Sequence, residues 1–81
     1  MIAFVKIDSS KDEDLTGKTF GVSEDMELIP INNEEFQRHY DGPTCITYCG
    51  HPDTSLTIVE YNDNFELASK IKKLIIDNTQ L

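Results

Sequence analysis

The stretch from residue 15 to residue 31, LTGKTFGVSEDMELIPI, restricts the fold more than any other part of the sequence. It reads as two short strands, residues 18–22 and 27–31, joined by an acidic turn. Gly21 inside the first strand is typical of a bulge or a tight bend. Pro30 in the second strand has no N–H to donate, which predicts an edge strand or a bulged one. The stretch therefore predicts a hairpin within a small sheet.

Hydrophobic periodicity and helix-capping residues predict the secondary structure on either side of this hairpin. The further predicted strands are residues 2–7, 44–49 and 55–61, and the predicted helices are residues 32–40 and a segment capped by Asp63 that fades at Asp77 and Asn78. The resulting order, β-β-β-α-β-β-α, shows no internal repeat or linker and predicts one domain over residues 1–81.

This order predicts an α+β fold of five mostly antiparallel strands. We expect a small barrel or a strongly bent sheet, with one short helix and a C-terminal amphipathic helix. An open α+β sheet with the last helix across one face is the alternative. Because a domain of 81 residues buries a smaller fraction of its surface than a larger one, a substrate pocket would cost much of its core. The length therefore disfavours an enzyme.

Charge is the clearest compositional signal, with fifteen acidic and seven basic residues and a net charge of −8. Residues 1–63 hold thirteen of the acids and four of the bases, a net charge of −9. Such a surface disfavours direct nucleic-acid binding, which depends on Lys and Arg, and it steers basic partners towards the protein. The candidate partner-binding acids lie in two predicted loops: Asp12, Glu13, Asp14, Glu24, Asp25 and Glu27. A purely solubilising role for this charge is the alternative.

The predicted C-terminal helix offers a second candidate contact surface. Its apolar stripe at helical spacing consists of Leu67, Ala68, Ile71, Leu74 and Ile75. Phe65 and Ile76 fall on the other side of the helix, where apolar residues can mark a partner site. This pattern supports the alternative function, a structural or assembly subunit that associates with itself or with a partner through this helix.

Two cysteines and two histidines are candidates for a zinc site, since thiolates and imidazoles are zinc ligands. Cys45 and Cys49 lie four residues apart in a predicted strand, which separates them by about 13 Å. That distance is too long for one zinc ion or for a disulfide. His39 and His51 then read as ordinary surface or helix-end residues. The sequence predicts reduced thiols and no cofactor, and a metal- or thiol-based protein is the least favoured alternative.

Residues 5–7, the acidic loop and LTGKTFGV at residues 15–22 together resemble the opening of small SH3-like barrels, a fold frequent among accessory proteins of tailed-phage genomes. The resemblance covers about the first third of the chain, and the five predicted strands suit it. The chain departs from it in its C-terminal helix and in lacking Trp and the aromatic cluster that binds proline-rich ligands. The resemblance implies a fold and an interaction role, and carries over no site residues.

These observations predict a non-enzymatic, acidic protein-binding module without catalytic residues. One form of it would be a phage-type inhibitor that engages a basic or nucleic-acid-binding host protein. No apolar run approaches the length of about 18 residues that a membrane helix needs, and the N-terminus has no basic leader. We therefore expect a cytoplasmic protein that binds neither membranes nor nucleic acid.

Overall fold

The computed structural model describes residues 1–79, without the side chain of Thr79. The strands are β1 (Ala3–Ser10), β2 (Thr19–Val22), β3 (Leu28–Ile31), β4 (Cys45–His51) and β5 (Thr54–Glu60), and the helices are a 3₁₀ turn (Glu13–Leu15), α1 (Asn33–Tyr40) and α2 (Phe65–Thr79). The predicted order of strands and α-helices is confirmed. Across residues 1–79, no helix combines the length and the apolar character that crossing a membrane requires.

The five strands form one antiparallel sheet in the order β3-β2-β1-β5-β4. β1 occupies the centre, because it pairs with β2 on one side and with β5 on the other. Closure into a barrel would require β3 to pair with β4, but these strands are the two edges of the described sheet. β3 has four residues, and its Pro30 brings no N–H to such a pairing. The sheet is therefore open, which is the alternative arrangement rather than the predicted barrel.

α2 covers one face of the sheet and completes the main core. Side chains alternate between the faces of a strand, so every second residue of β1 points towards α2. The buried residues of this core are Ala3, Val5, Ile7, Val22, Leu56, Ile58, Ala68, Ile71 and Ile75. The apolar stripe predicted for the last helix is thus confirmed at Ala68, Ile71 and Ile75, which are buried.

α1 covers part of the opposite face and forms a smaller core. Asn32 caps this helix as predicted, its side chain accepting a hydrogen bond of 2.7 Å from the Glu35 backbone N–H. Phe36 is the buried residue of α1, and it packs with Phe4 and Val59 from the sheet. A helix of eight residues is too short to span five strands, so part of this face stays open to solvent.

The acidic segment after residue 7, predicted as a loop, is anchored to the rest of the fold. β1 continues through Ser10 after a bulge at Asp8, so the strand is longer than predicted. Asp12 then caps the 3₁₀ turn, accepting a hydrogen bond of 3.0 Å from the Asp14 backbone N–H. Leu15 packs against the main core and ties the segment down.

Gly17 adopts a backbone conformation that other residues reach only with strain. Its φ is +84°, and its N–H donates a hydrogen bond of 2.7 Å to the Ile7 carbonyl. We expect Gly17→Ala to lower the free energy of unfolding by about 1–2 kcal/mol, because an L-residue at positive φ crowds its own carbonyl. Urea unfolding of the purified variant measures this loss.

Gly50→Ala is the matched control for Gly17→Ala. Neither glycine has an atom within 4 Å of the position that a Cβ would take, so neither substitution creates a clash. Gly50 has no positive φ, and alanine there should leave stability unchanged or raise it by less than about 1 kcal/mol. Equal losses in the two variants would contradict the backbone explanation.

Candidate functional site

The two acidic clusters predicted to bind a partner lie at opposite ends of the sheet. One follows the end of β1, and the other lies in the turn between β2 and β3. All of their residues are exposed: Asp12, Glu13 and Asp14 at one end, and Glu24, Asp25 and Glu27 at the other. Eight residues of β1 separate the two ends by about 23 Å. The structure therefore does not bring these acids into one patch.

The two apolar residues predicted for a contact surface on α2 differ in exposure. Phe65, the first residue of the helix, is 76% exposed. Ile76 is half-buried. At about 1.5 Å per residue, their Cα atoms lie about 16 Å apart along the helix. Phe65 is thus the more accessible of the two.

The cysteines and histidines that are candidate zinc ligands lie in separate environments. Cys45 and Cys49 are free, half-buried, and point to the same face of β4. The ring of His39 stacks on Phe4 with 3.7 Å between centroids, and its Nδ1 is 2.6 Å from a tyrosine hydroxyl. His51 is exposed at the far end of β4.

A different cluster of metal-ligating residue types forms where β5 ends. Donor atoms of Cys45, Glu60 and Asp63 lie within 4.8 Å of one another. Glu60 is buried, and its two carboxylate oxygens accept hydrogen bonds of 2.8 Å from the backbone N–H groups of Asn62 and Asn64. These two hydrogen bonds satisfy the buried carboxylate and stabilise the turn that leads into α2.

The part of the sheet that α1 leaves open forms a cleft of about 370 Å³. Its floor is a row across three neighbouring strands, because Lys6 pairs with Thr57 and Thr57 pairs with Tyr48. α1 supplies one wall, since residues three and four apart share a helix face. The lining residues are Lys6, Asp8, Phe36, Gln37, Tyr40, Tyr48 and Thr57.

Hydrogen bonds fix the polar groups of this cleft. The hydroxyls of Tyr40 and Tyr48 lie 3.0 Å apart, and Thr57 donates its hydroxyl to the Asp8 carboxylate. The hydrogen bond to Tyr40 is the largest cause that raises the pKa of Tyr48 above that of an ordinary tyrosine, and the negative charge of Asp8 adds to it. Tyr48 therefore keeps its proton to a higher pH than an ordinary tyrosine does, in the cleft that Asp8 also lines.

Three exposed side chains of β4 and of the residue that follows β5 are together called the aromatic surface, and Tyr48 among them lines the cleft: Ile46, Tyr48 and Tyr61. Tyr48 is 69% exposed, and Ile46 lies two residues away on the same face of β4. Tyr61 packs edge-on against the ring of His39, which itself stacks on the sheet. Rings and a nearby carboxylate can bind apolar and cationic side chains of another protein.

Sequence reasoning did not single out the aromatic surface. The alternation in the segment around Tyr48 predicts that Ile46 and Tyr48 share one face of a strand. The exposure of that face depends on two facts that the pattern does not contain: β4 is an edge, and α1 stops short of it. Comparison with known proteins finds no family model, no curated protein and no solved structure that matches this chain.

Proposed function

We propose that this protein is a non-enzymatic binding module for a protein with a basic surface. The proposal is carried by the aromatic surface, in which Tyr48 is exposed and lines the same cleft as Asp8. Tyrosines are enriched among the residues that dominate binding energy at protein interfaces. A Lys or Arg side chain gains both from a ring face and from a carboxylate.

The distribution of charge supports a basic partner. No Lys or Arg occurs between Arg38 and Lys70, a span that includes β4 and β5. The same span contains five acids: Asp41, Asp53, Glu60, Asp63 and Glu66. Four of these acids are exposed, whereas Glu60 is buried. The cations near β4 include half-buried Lys6 in the cleft and exposed Lys11, whose backbone N–H donates a hydrogen bond to the Asp53 carbonyl at the β4–β5 turn.

Inhibition is one form that this function would take. A partner that binds nucleic acid through a basic groove would lose access to it when an acidic module covers that groove. The resemblance to small proteins of tailed-phage genomes supports this form of the proposal. An electrophoretic assay of the captured partner with its nucleic acid, with and without this protein, tests it.

Neutralising either exposed acidic cluster should weaken partner binding without unfolding the protein. The two triple variants are D12N/E13Q/D14N and E24Q/D25N/E27Q, and Asn at position 12 keeps the ability to cap. We expect each to lower affinity about three- to tenfold at low salt, since exposed charges contribute a few tenths of a kcal/mol each. The partner is first captured by pull-down at low and high salt and then titrated against each variant.

Salt dependence is the control for this experiment. At high ionic strength the two variants and the parent protein should bind alike, because salt screens exposed charges. Tyr48→Ser should weaken binding at every salt concentration, since it removes an apolar anchor. An affinity that changes neither with salt concentration nor with the triple substitutions would mean that the acids contribute only to solubility.

Self-association through α2 is the second candidate function. The observation that favours it is Phe65, a large apolar side chain that is 76% exposed at the start of the helix. Sedimentation of the parent protein over a range of concentrations distinguishes this candidate from the first. A monomer at every concentration would remove it.

A further inference from the structure

We propose that β4 binds an extended segment of the partner protein as an added strand of the sheet, and that this segment alternates Lys or Arg with apolar residues. The inference rests on the proposed protein-binding function and adds a binding mode and a partner chemistry to it. Strand addition of this kind takes its affinity from main-chain hydrogen bonds and its specificity from alternate side chains.

β4 has the properties of an edge that can accept another strand. It is seven residues long, CITYCGH, and contains no Asp, Glu, Lys, Arg or Pro. Edge strands that avoid pairing usually carry such residues. Within residues 1–79, its backbone makes no hydrogen bond to the backbone of any segment other than β5. Every second residue of β4 therefore presents its N–H and C=O groups outward.

The opposite edge of the sheet lacks these properties. β3 has four residues, of which Pro30 brings no N–H, and α1 begins two residues after it ends. A strand added there would find fewer donors and a shorter partner. The difference between the two edges assigns the proposed binding to β4.

The side chains of β4 explain why the added strand should alternate. Ile46 and Tyr48 are exposed on the face that carries the cleft, whereas Cys45, Thr47 and Cys49 point to the other face. Residues of an added strand that lie opposite Tyr48 come within about 5.5 Å of it, Cβ to Cβ. A Lys or Arg at that position contacts the face of the Tyr48 ring. Asp8 lies farther away, on β1, two strands from β4.

Charge identifies the occupant as a basic segment rather than a second copy of this chain. Pairing β4 with β4 of another copy would bring together two molecules of net charge −8. Each copy would also bring the same Lys- and Arg-free span between Arg38 and Lys70, with its five acids. A basic segment replaces this repulsion by attraction.

A peptide of eight residues in which Lys and Val alternate is the probe that tests the proposal. Its binding to the full chain is measured by fluorescence anisotropy, alongside two isomers that are N-methylated either at the Lys residues or at the Val residues. In an added strand, alternate N–H groups face β4, so one isomer should bind as the parent peptide does. The other should bind at least about tenfold more weakly, because it loses several hydrogen bonds.

Two measurements on the protein accompany the titration. Peptide binding should slow amide hydrogen exchange within β4, and the amides of β3 should be unaffected. Tyr48→Ala should weaken binding about threefold or more, whereas Ile29→Ala, which truncates an exposed apolar residue on the other edge, should have no effect.

Each alternative result has a defined meaning. Failure of the parent peptide to bind, or equal binding by both methylated isomers, would overturn strand addition. A partner that binds in a salt-dependent way but does not slow hydrogen exchange in β4 would also overturn strand addition. The proposed protein-binding function would still hold in that case. Protection of β4 in a dimer that forms without peptide would identify the occupant as a second copy and overturn the basic segment.

Discussion

Ile71→Ala is expected to lower the free energy of unfolding by about 3–4 kcal/mol. Ile71 is fully buried where α2 meets the sheet, in contact with the main core of β1 and β5. Truncation removes three carbon atoms from water-excluded packing and leaves a cavity that the surrounding strands cannot close. A domain of 81 residues has a total stability of only about 4–12 kcal/mol, so the loss is a large part of it.

Two variants bracket this measurement by urea or thermal unfolding. Ile71→Val should cost about 0.5–1.5 kcal/mol, because it deletes one methyl group at the same position. Phe65→Ala on the same helix should change stability by less than about 0.5 kcal/mol, since that side chain is exposed. Similar losses for Ile71→Ala and Phe65→Ala would mean that α2 does not pack as described.

Glu60→Ala is expected to have the second largest effect, a loss of about 3 kcal/mol. The Glu60 side chain is 1% exposed, and each of its oxygens accepts a backbone N–H at 2.8 Å, from Asn62 and from Asn64. Alanine would leave both donors without their acceptor beside the start of α2. Each unsatisfied donor costs about 1–3 kcal/mol, less what water regains by entering the turn.

Glu66→Ala is the matched control for Glu60→Ala. Glu66 is exposed on α2, and its 3.9 Å ion pair with Lys70 is of the helical kind worth less than about 0.5 kcal/mol. Glu60→Gln should fall between the two, because its amide retains one oxygen acceptor. A loss below about 1 kcal/mol for Glu60→Ala in urea unfolding would show that the turn does not depend on this carboxylate.

The strands that are buried on both sides could be predicted from sequence, and the closure of the sheet could not. Continuous apolar runs such as residues 2–7 are typical of central strands, and the structure places β1 and β5 there. Whether β3 closes onto β4 depends on a pairing between segments far apart in sequence. No local pattern specifies that pairing, so the sequence predicts a small barrel or a strongly bent sheet, with the open sheet as the alternative.

Some helices and strands begin or end at other residues than predicted. In these cases a side-chain hydrogen bond or pairing with another strand determines the boundary. Asp63 was predicted to cap the last helix, but Asn64 does so, its side chain accepting from the Leu67 N–H at 3.0 Å. Asp63 has a φ of +50° in the turn that Glu60 holds, which moves the helix start by one residue. The loop between β4 and β5 was predicted at five residues, and pairing of Gly50 and His51 with β5 shortens it to two.

The candidate site was less predictable than the fold. The two acidic loops precede and follow a single strand, β2, and the direction of that strand places them at opposite ends of the sheet. The cleft beside Tyr48 exists because α1 is short and β4 is an edge, and neither fact follows from the residues that line it. Sequence periodicity indicates which residues share one face of a strand or helix. The order of the strands in the sheet decides which elements lie next to each other.

The central position of β1 also determines when a newly synthesised chain can finish folding. Its partner β5 is made late, since Val5 pairs with Ile58, and the helix that covers its apolar face is made later still. While the ribosome is still adding those residues, the hairpin of β1 and β2 can form, but one side of it stays exposed to water. The apolar face of β1 therefore stays exposed until the fifteen residues of α2 have been made. Chaperones bind exposed apolar surfaces of this kind.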